Sequence, residues 1–479
     1  MVRVRFAPSP TGYVHVGSLR TALYCYLFAR RHSGVNILRI EDTDRTRYVE
    51  GAVENLLRTM EWAGIGFDEG PIEGGACGPY VQSERTELYR EHANQLIANG
   101  HAYVCFCTPE RLDTVRKSQQ AAGIPPMYDR HCRNLSKEEV DSRVAAGEPH
   151  VVRLRVPIGE MVRFHDMIRD DVEFDSRTID DQVLLKSDGF PTYHLANIVD
   201  DHYMQVTHVI RGEEWLSSTP KHVLLYQAFG WEPPKFAHLP LLLNADRSKL
   251  SKRQGDVAVE DYRDKGYLPQ ALINFVALLG WNPSATEEIF SMDELIRQFD
   301  LERVNKAGAV FNREKLDWMN GEYIRKMTPE ELLPLVRPLL EKRNFVASDE
   351  YVCSVIKLMQ ERVRTLWDFV DFASYFYITP DFTTADEKYK SKHWTPQAKE
   401  HLGALLPKLE SLETWNHDSI EAAVREYAEA NGMGAGKLIH PIRLAVTGRG
   451  MGPGLFELLA VLGKQECVTR IQHALTSLA

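Results

Sequence analysis

Two short stretches of this chain hold residues that could handle charge around a phosphate. The first is Pro8-Ser9-Pro10-Thr11-Gly12-Tyr13-Val14-His15-Val16-Gly17-Ser18, between a strand-like run and a run with helical spacing. The amino end of a helix carries free backbone N–H groups and attracts anions. Gly17 lets a ligand approach the backbone closely, and His15 can donate a hydrogen bond to a phosphate as its charge builds in a transition state. The second is Asp246-Arg247-Ser248-Lys249-Leu250-Ser251-Lys252-Arg253, a polar loop with Lys249 and Lys252 three residues apart. Two ammonium groups so placed can grip a triphosphate and neutralise pyrophosphate as it leaves, acting as mobile point charges. A dinucleotide fingerprint is excluded, because the first loop has only Gly12 and Gly17 and lacks Gly-x-Gly-x-x-Gly. Taken singly, the two stretches also read as a proline-stiffened turn and a solvated basic turn. Their order along an α/β frame favours a shared phosphate site.

Such residues need rigid elements behind them. Arg3 to Phe6 reads as a strand, and Ser18 as the cap of a helix with Leu19, Ala22, Leu23, Tyr26 and Leu27 at helical spacing. Gly34 stands where a helix end favours positive φ, and Val35 to Ile40 reads as a second strand, ending in Glu41-Asp42-Thr43-Asp44. Strand, helix and parallel strand in so short a span predict a doubly wound α/β sheet with ligands at the strands' carboxyl ends. From about Tyr80 to Lys186 the texture changes to amphipathic helical runs, a small cysteine cluster and a proline-bounded β stretch, Val151 to Val156. The α/β pattern is expected to resume with Val183 to Leu185 and Val206 to Ile210, before a helix start at Ser217 to Pro220. After about Glu322 strand signals are scarce; Thr328-Pro329-Glu330-Glu331 opens a helix, and the rest reads as all-α.

Composition narrows the class. With 479 residues, 44% apolar and 26% charged, the chain reads as a globular protein of about three domains, not a disordered one. Its longest apolar run, Leu272 to Trp281, is about half the ~20 residues that span a bilayer. The amino terminus enters a strand pattern without an apolar signal core, and seven cysteines are few for this length, so a reducing cytoplasm is expected. The net charge of −10 does not exclude a nucleic-acid partner, which needs a local basic surface and not a basic total.

His15-Val16-Gly17-Ser18 resembles the His-Ile-Gly-His box, and Lys249-Leu250-Ser251-Lys252-Arg253 the Lys-Met-Ser-Lys-Ser loop, of the class I aminoacyl-tRNA synthetases. Ser18 departs from the box's second histidine, a position where the glutamyl branch commonly has a small residue. The likeness to that bacterial branch runs through Arg39-Ile40-Glu41-Asp42-Thr43-Asp44, Gln82-Ser83-Glu84-Arg85, Leu184-Leu185-Lys186-Ser187-Asp188-Gly189, Tyr193-His194-Leu195-Ala196-Asn197 and Arg211-Gly212-Glu213-Glu214-Trp215. It continues in Trp318-Met319-Asn320-Gly321 and Pro453-Gly454-Leu455-Phe456, close to the end of the chain.

The resemblance implies a Rossmann-like catalytic domain over 1–80 and 187–240 and an inserted acceptor-end binding domain over 81–186. It implies an ATP-loop and stem-contact domain over 241–322 and an all-helical anticodon-binding domain of two subdomains over 323–479. The implied reaction activates glutamate with ATP and Mg²⁺ to glutamyl adenylate and passes it to the 3′ end of tRNA(Glu), with tRNA bound before activation. ATP would be held by Pro8, Thr11, Gly12, His15, Gly17, Ser18, Glu214, Lys249, Ser251 and Lys252, of which His15, Gly17, Lys249 and Lys252 carry the chemistry. Arg5, Ala7, Ser9, Glu41, Tyr193, Asn197 and Arg211 would line the glutamate pocket, with Glu41 taking the α-ammonium. Arg5 and Arg211, at strand ends, are the two arginines placed to fork onto a γ-carboxylate, and a guanidinium left badly paired would reject glutamine. Trp215, with Glu214, would sit near the tRNA-dependent switch. Arg362 and Arg443 would contact tRNA, and Arg362 falls where relatives that read the third anticodon base have arginine. A monomer is the family expectation.

Cys105-Phe106-Cys107 and Cys132 put three thiols in the insertion, and a tetrahedral zinc site could take Tyr128 or His131 as its fourth ligand. Cys25, Cys77, Cys353 and Cys467 read as packing residues.

Overall fold

In the computed structural model, which describes residues 1–250, 258–284, 286–382 and 387–478, β1 (Arg3–Phe6) is buried along its whole length. It pairs in parallel with β2 (Val35–Leu38), Arg3 facing Val35 and Phe6 facing Leu38, and α1 (Val16–Arg31) makes the crossover. A parallel pair joined by one helix is the unit expected. The cap differs: His15, not Ser18, is the N-cap of α1. The helix end differs as well. Ser33 takes the left-handed conformation (φ 50°), while Gly34 lies so close to Val2 that a Cβ would collide with its carbonyl oxygen. Glycine is needed there for closeness, not for φ.

A second group of strands has the order β6-β5-β9-β8. β8 (His208–Gly212) and β9 (Lys235–Leu239) are parallel, β5 (Met161–Asp166) joins β9 in parallel through Asp166 and Phe236, and β6 (Asp170–Asp175) closes an antiparallel hairpin. Thr207 ties this group to β1: its N–H donates to Arg3 O at 2.9 Å and its hydroxyl accepts from Arg3 N at 2.9 Å. The sheet is thus mixed, with a parallel centre. α6 (Tyr193–Tyr203) and α7 (Thr219–Phe229) pack beside it; α7 starts with Pro220 in its first turn and ends at Gly230, φ 70°.

The intervening segment carries α2 (Ala52–Trp62), α3 (Thr86–Ala98), α4 (Pro109–Ala121) and α5 (Lys137–Ala145). It also carries a three-stranded sheet of β3 (Ala102–Cys105), β4 (Val151–Leu154) and β7 (Val183–Leu185). β7 was expected to restart the parallel sheet, but it pairs antiparallel with β4. Its three apolar residues specify a strand and not a partner, so sequence alone could not assign it to a sheet.

The chain forms two compact units. One comprises Met1–Asp261 and Ile273–Asn312, the other Tyr262–Leu272 and Arg313–Ala479. In the first, β10 (Leu242–Leu243) pairs with β11 (Ala309–Val310), which α10 (Met292–Gln298) precedes, whereas α8 (Val259–Asp264) and α9 (Pro269–Ala277) each have residues in both units. The described part of 313–479 is helical without a strand. Its helices are α11 (Arg313–Lys326), α12 (Pro329–Lys342), α13 (Asp349–Met359), α14 (Glu387–His393), α15 (Pro396–Glu410), α16 (His417–Ala430), α17 (Gly436–Thr447), α18 (Leu455–Leu462) and α19 (Lys464–Ser477). α12 starts as expected, in a reciprocal cap between Thr328 and Glu331. Leu332, Val336 and Leu340 of α12 bury against Val352, Val355 and Ile356 of α13, in a core that also contains Leu268 and Ala271. No described helix is long and apolar enough to cross a membrane.

Candidate active site

The loop after β1 folds back onto the start of α1. His15 Nδ1 accepts hydrogen bonds from Gly17 N at 3.1 Å and Ser18 N at 3.3 Å, and its Nε2 lies 3.1 Å from Ser18 Oγ. Since Nδ1 accepts two N–H groups, the ring proton sits on Nε2, the nitrogen beside Ser18 Oγ. A Cβ on Gly17 would stand 2.9 Å from the imidazole, so this glycine makes room for the ring. Pro8, Ser9, Thr11, Gly12, His15 and Ser18 line a cavity of about 270 Å³, walled on the other side by Ile40 and Leu56.

Lys249 is exposed in a β-bridge to Leu243, and Leu250 N donates to Leu242 O at 2.8 Å. Ser251 and Lys252 lie outside the described residues. The chain is described again at Ala258, which bridges to His15, while Val259 N donates to Val14 O at 2.9 Å. The described residue that follows the lysine loop therefore lies against the histidine of the first loop.

Beneath the strand ends lies a buried ion network. Arg39, with no exposed surface, donates to Asp201 Oδ1 at 2.7 Å, to Glu41 Oε1 at 2.9 Å and to Asn197 Oδ1 at 3.0 Å. Arg5 donates from Nε to Asp201 Oδ1 at 3.1 Å and from Nη2 to Asn197 at 3.3 Å. Asp200 accepts from Arg85 at 2.7 Å, from Gln82 at 2.8 Å and from Tyr89. Arg5, Arg39 and Arg85 thus face Glu41, Asp200 and Asp201, and the burial of each charge is compensated. Burial raises the Glu41 carboxyl above the usual range despite Arg39 and Arg5, while the acids around Arg39 outweigh burial and hold its guanidinium firmly charged. Glu41 Oε2 accepts no hydrogen bond from a described residue, which leaves an anionic oxygen for a ligand.

Sequence reasoning named Arg5, Glu41 and Asn197 and passed over Arg39, Asp200 and Asp201. A signal was present: Tyr193, Asn197, Asp200 and Asp201 recur at helical spacing on α6, amid Leu195, Ala196, Ile198 and Val199.

Arg211 is the last residue but one of β8 and is buried. It donates to Tyr193 Oη at 3.0 Å, Thr219 Oγ1 at 2.8 Å, His238 Nε2 at 3.0 Å and His222 Nδ1 at 3.2 Å. No described carboxylate pairs with it. Tyr193 packs on Trp215 with centroids 4.2 Å apart, and the Glu214 carboxylate folds over Gly212, where a side chain would collide with it. Ala7 is half-buried and Ser9 exposed in the turn after β1, where Thr11 N donates to Ser9 O at 2.8 Å.

In the insertion, the sulfurs of Cys105, Cys107 and Cys132 lie within 4.8 Å of one another. Tyr128 Oη is 3.2 Å from Cys105 Sγ and 3.4 Å from Cys107 Sγ, whereas His131 is exposed and outside the group. Burial pushes the Cys107 thiol up to about 12; at Cys105 burial is outweighed by hydrogen bonding with Tyr128, the Cys107 backbone and Arg153, and the thiol is lowered. Cys25 and Cys467 are buried and Cys77 and Cys353 half-buried, all with free thiols. In the helical unit Arg362 Nε donates to Gly452 O at 3.2 Å, and Arg443 Nη1 is buried without a hydrogen-bond partner close to Gly452.

Residues 1–318 match the family described as tRNA synthetases class I (E and Q), catalytic domain, and residues 331–475 match an anticodon binding domain. The chain belongs to the class I tRNA synthetases, in the branch of the bacterial glutamate–tRNA ligases. The glutamate–tRNA ligase of Chlorobium chlorochromatii is 52% identical over 99% of this chain and 98% of its own. That of Pelodictyon phaeoclathratiforme is 52% identical over 98% and 97%. A crystal structure of a glutamate tRNA ligase from Elizabethkingia meningosepticum in complex with its amino acid superposes with TM-score 0.93 at 42% identity, covering all of both chains.

Proposed function

We propose that this chain activates L-glutamate with ATP and transfers it to the 3′ end of tRNA(Glu). One glutamate α-carboxylate oxygen attacks the α-phosphorus, the bond to the β-phosphate oxygen breaks, and pyrophosphate leaves. The terminal ribose hydroxyl then attacks the acyl carbon, and AMP departs. Positioning and charge stabilisation carry the first step, so no protein nucleophile is required. Mg²⁺, which class I synthetases use with ATP, would offset the charge of the phosphates when bound.

ATP lies against Pro8, Thr11, Gly12, Gly17 and Ser18, with His15 donating from Nε2 to the α-phosphate. Lys249, Ser251 and Lys252 hold the leaving phosphates, and Glu214 borders the ribose side. Arg211 forks onto the glutamate γ-carboxylate, helped by Arg5 and Tyr193. Glu41 takes the α-ammonium, and Ala7, Ser9 and Asn197 complete the pocket. Trp215, packed on Tyr193, couples tRNA binding to activation. The insertion receives the acceptor end, the 241–322 segment the stem, and the helical unit the anticodon, with Arg362 and Arg443 on bases or phosphates.

Arg211 is the observation that carries this reading. A buried guanidinium whose acceptors are all neutral lacks a counter-charge until an anion arrives, which fits glutamate and disfavours glutamine. Zinc also fits the cysteine group: Cys107 and Cys132 sulfurs stand 3.6 Å apart, near the ~3.8 Å that two sulfurs of a tetrahedral zinc keep. Cys105, Cys107, Cys132 and Tyr128 would hold it, and the ion would fix the end of β3. The chain works as a cytoplasmic monomer. Pyrophosphate exchange tests the activity: it should require glutamate and tRNA(Glu) together, and exchange with glutamine, or with glutamate equally well without tRNA, would overturn it.

A further inference from the structure

Arg5, Arg39 and Arg85 each contact an acid, and Arg211 contacts none among the described residues. Its acceptors are a tyrosine hydroxyl, a threonine hydroxyl and two imidazole nitrogens. Arginine can only donate, so both ring nitrogens facing it are lone pairs and both rings are neutral. That fixes their tautomers. His238 carries its proton on Nδ1, 2.6 Å from Asp166 Oδ2, and His222 carries its own on Nε2, 3.1 Å from His194 Nδ1. His222, His238 and Thr219 have no exposed surface. Burial and the Arg211 charge keep His222 from protonating, and burial does the same for His238 against the pull of Asp166. Asp166 contacts this ring through His238.

We propose that this uncharged ring of acceptors, Thr219, His222 and His238, sets the preference for an anionic amino acid. It fixes the fork of Arg211 in direction while withholding a counter-charge, so that the ligand's own carboxylate must supply one. These are positioning residues that act through Arg211, and the inference rests on the reading that Arg211 receives the γ-carboxylate. An acid placed in the ring would neutralise the guanidinium from the protein side and remove the reason to reject an amide.

Two matched pairs in the full-length protein separate charge from shape: His222→Gln against His222→Glu, and Thr219→Asn against Thr219→Asp. KM is measured for glutamate, glutamine and ATP in tRNA-dependent exchange. The amide variants should hold the glutamate KM within about fivefold, and the acid variants should raise it about 100-fold and cut the preference over glutamine at least about tenfold, with the ATP KM little changed. Thr219 opens α7, where an acid is tolerated, so this pair decides if the His222 variants do not fold. Equal losses in amide and acid variants would reduce the ring to packing and overturn the proposal. Arg211→Ala reports on the underlying reading: an unchanged glutamate KM sinks that reading, whereas a raised KM with indistinguishable pairs sinks the ring alone.

Discussion

His15 has both ring nitrogens engaged at the start of α1, Nδ1 by the Gly17 and Ser18 N–H groups and Nε2 by the Ser18 hydroxyl. The Gly17 constraint follows from that arrangement, because a methyl at 2.9 Å from the ring must push it aside. Gly17→Ala should lower the single-turnover rate of adenylate formation on the order of 10²-fold, with the glutamate KM nearly unchanged, since a misplacement of about 1 Å is costly in positioned chemistry. A rate loss matched by an equal rise in glutamate KM would contradict this. Asp201 pairs with Arg5 and with Arg39; Arg39 keeps Glu41 and Asp200 without it, but Arg5 is left without an acid. Asp201→Ala should lower stability by about 3–5 kcal/mol, read from urea unfolding, the cost of leaving a buried charge unpaired.

Among the elements, those with capping chemistry were the most legible. Thr328-Pro329-Glu330-Glu331 announced α12, and the reciprocal Thr328–Glu331 bonds are present. Thr328→Ala should cost about 1 kcal/mol without altering catalysis, measured by thermal melting beside aminoacylation. The start of α1 was misread because Ser18 is a good cap by residue type, whereas the geometry gave the cap to a histidine backed by a glycine. β7 was legible as a strand but not by partner, since pairing depends on β4, about thirty residues earlier along the chain. The pocket arginines at strand ends could be named from their positions. The acids that neutralise Arg5 and Arg39 could not, because their role depends on α6 meeting β1 and β2 across 196 and 162 residues of sequence.

At the scale of the whole molecule, several histidines are enclosed in neutral form. Burial pushes His194 down to about 3 and His208 to about 4, with nearby lysines adding to the effect. An unfolded histidine titrates near 6.5. Below that value the unfolded chain takes up protons that the folded chain refuses, so stability present above pH 6.5 is lost as pH falls toward about 4. The loss should approach about 1.4 kcal/mol per pH unit for each such histidine. Urea midpoints at pH 7.5, 6 and 5 measure it, and His208→Gln should flatten the profile. A profile flat over that interval would contradict the assignment.

The chain's route between its two units also has a consequence for dissection. Leu268 and Ala271 precede Ile273–Asn312 in sequence, yet they belong to the core built by the helices after Arg313. A gene stopped after Asn312 would therefore not encode a trimmed enzyme. It would encode one with a greasy scar, its cover deleted, and such a fragment should precipitate on expression unless those two positions are first made polar.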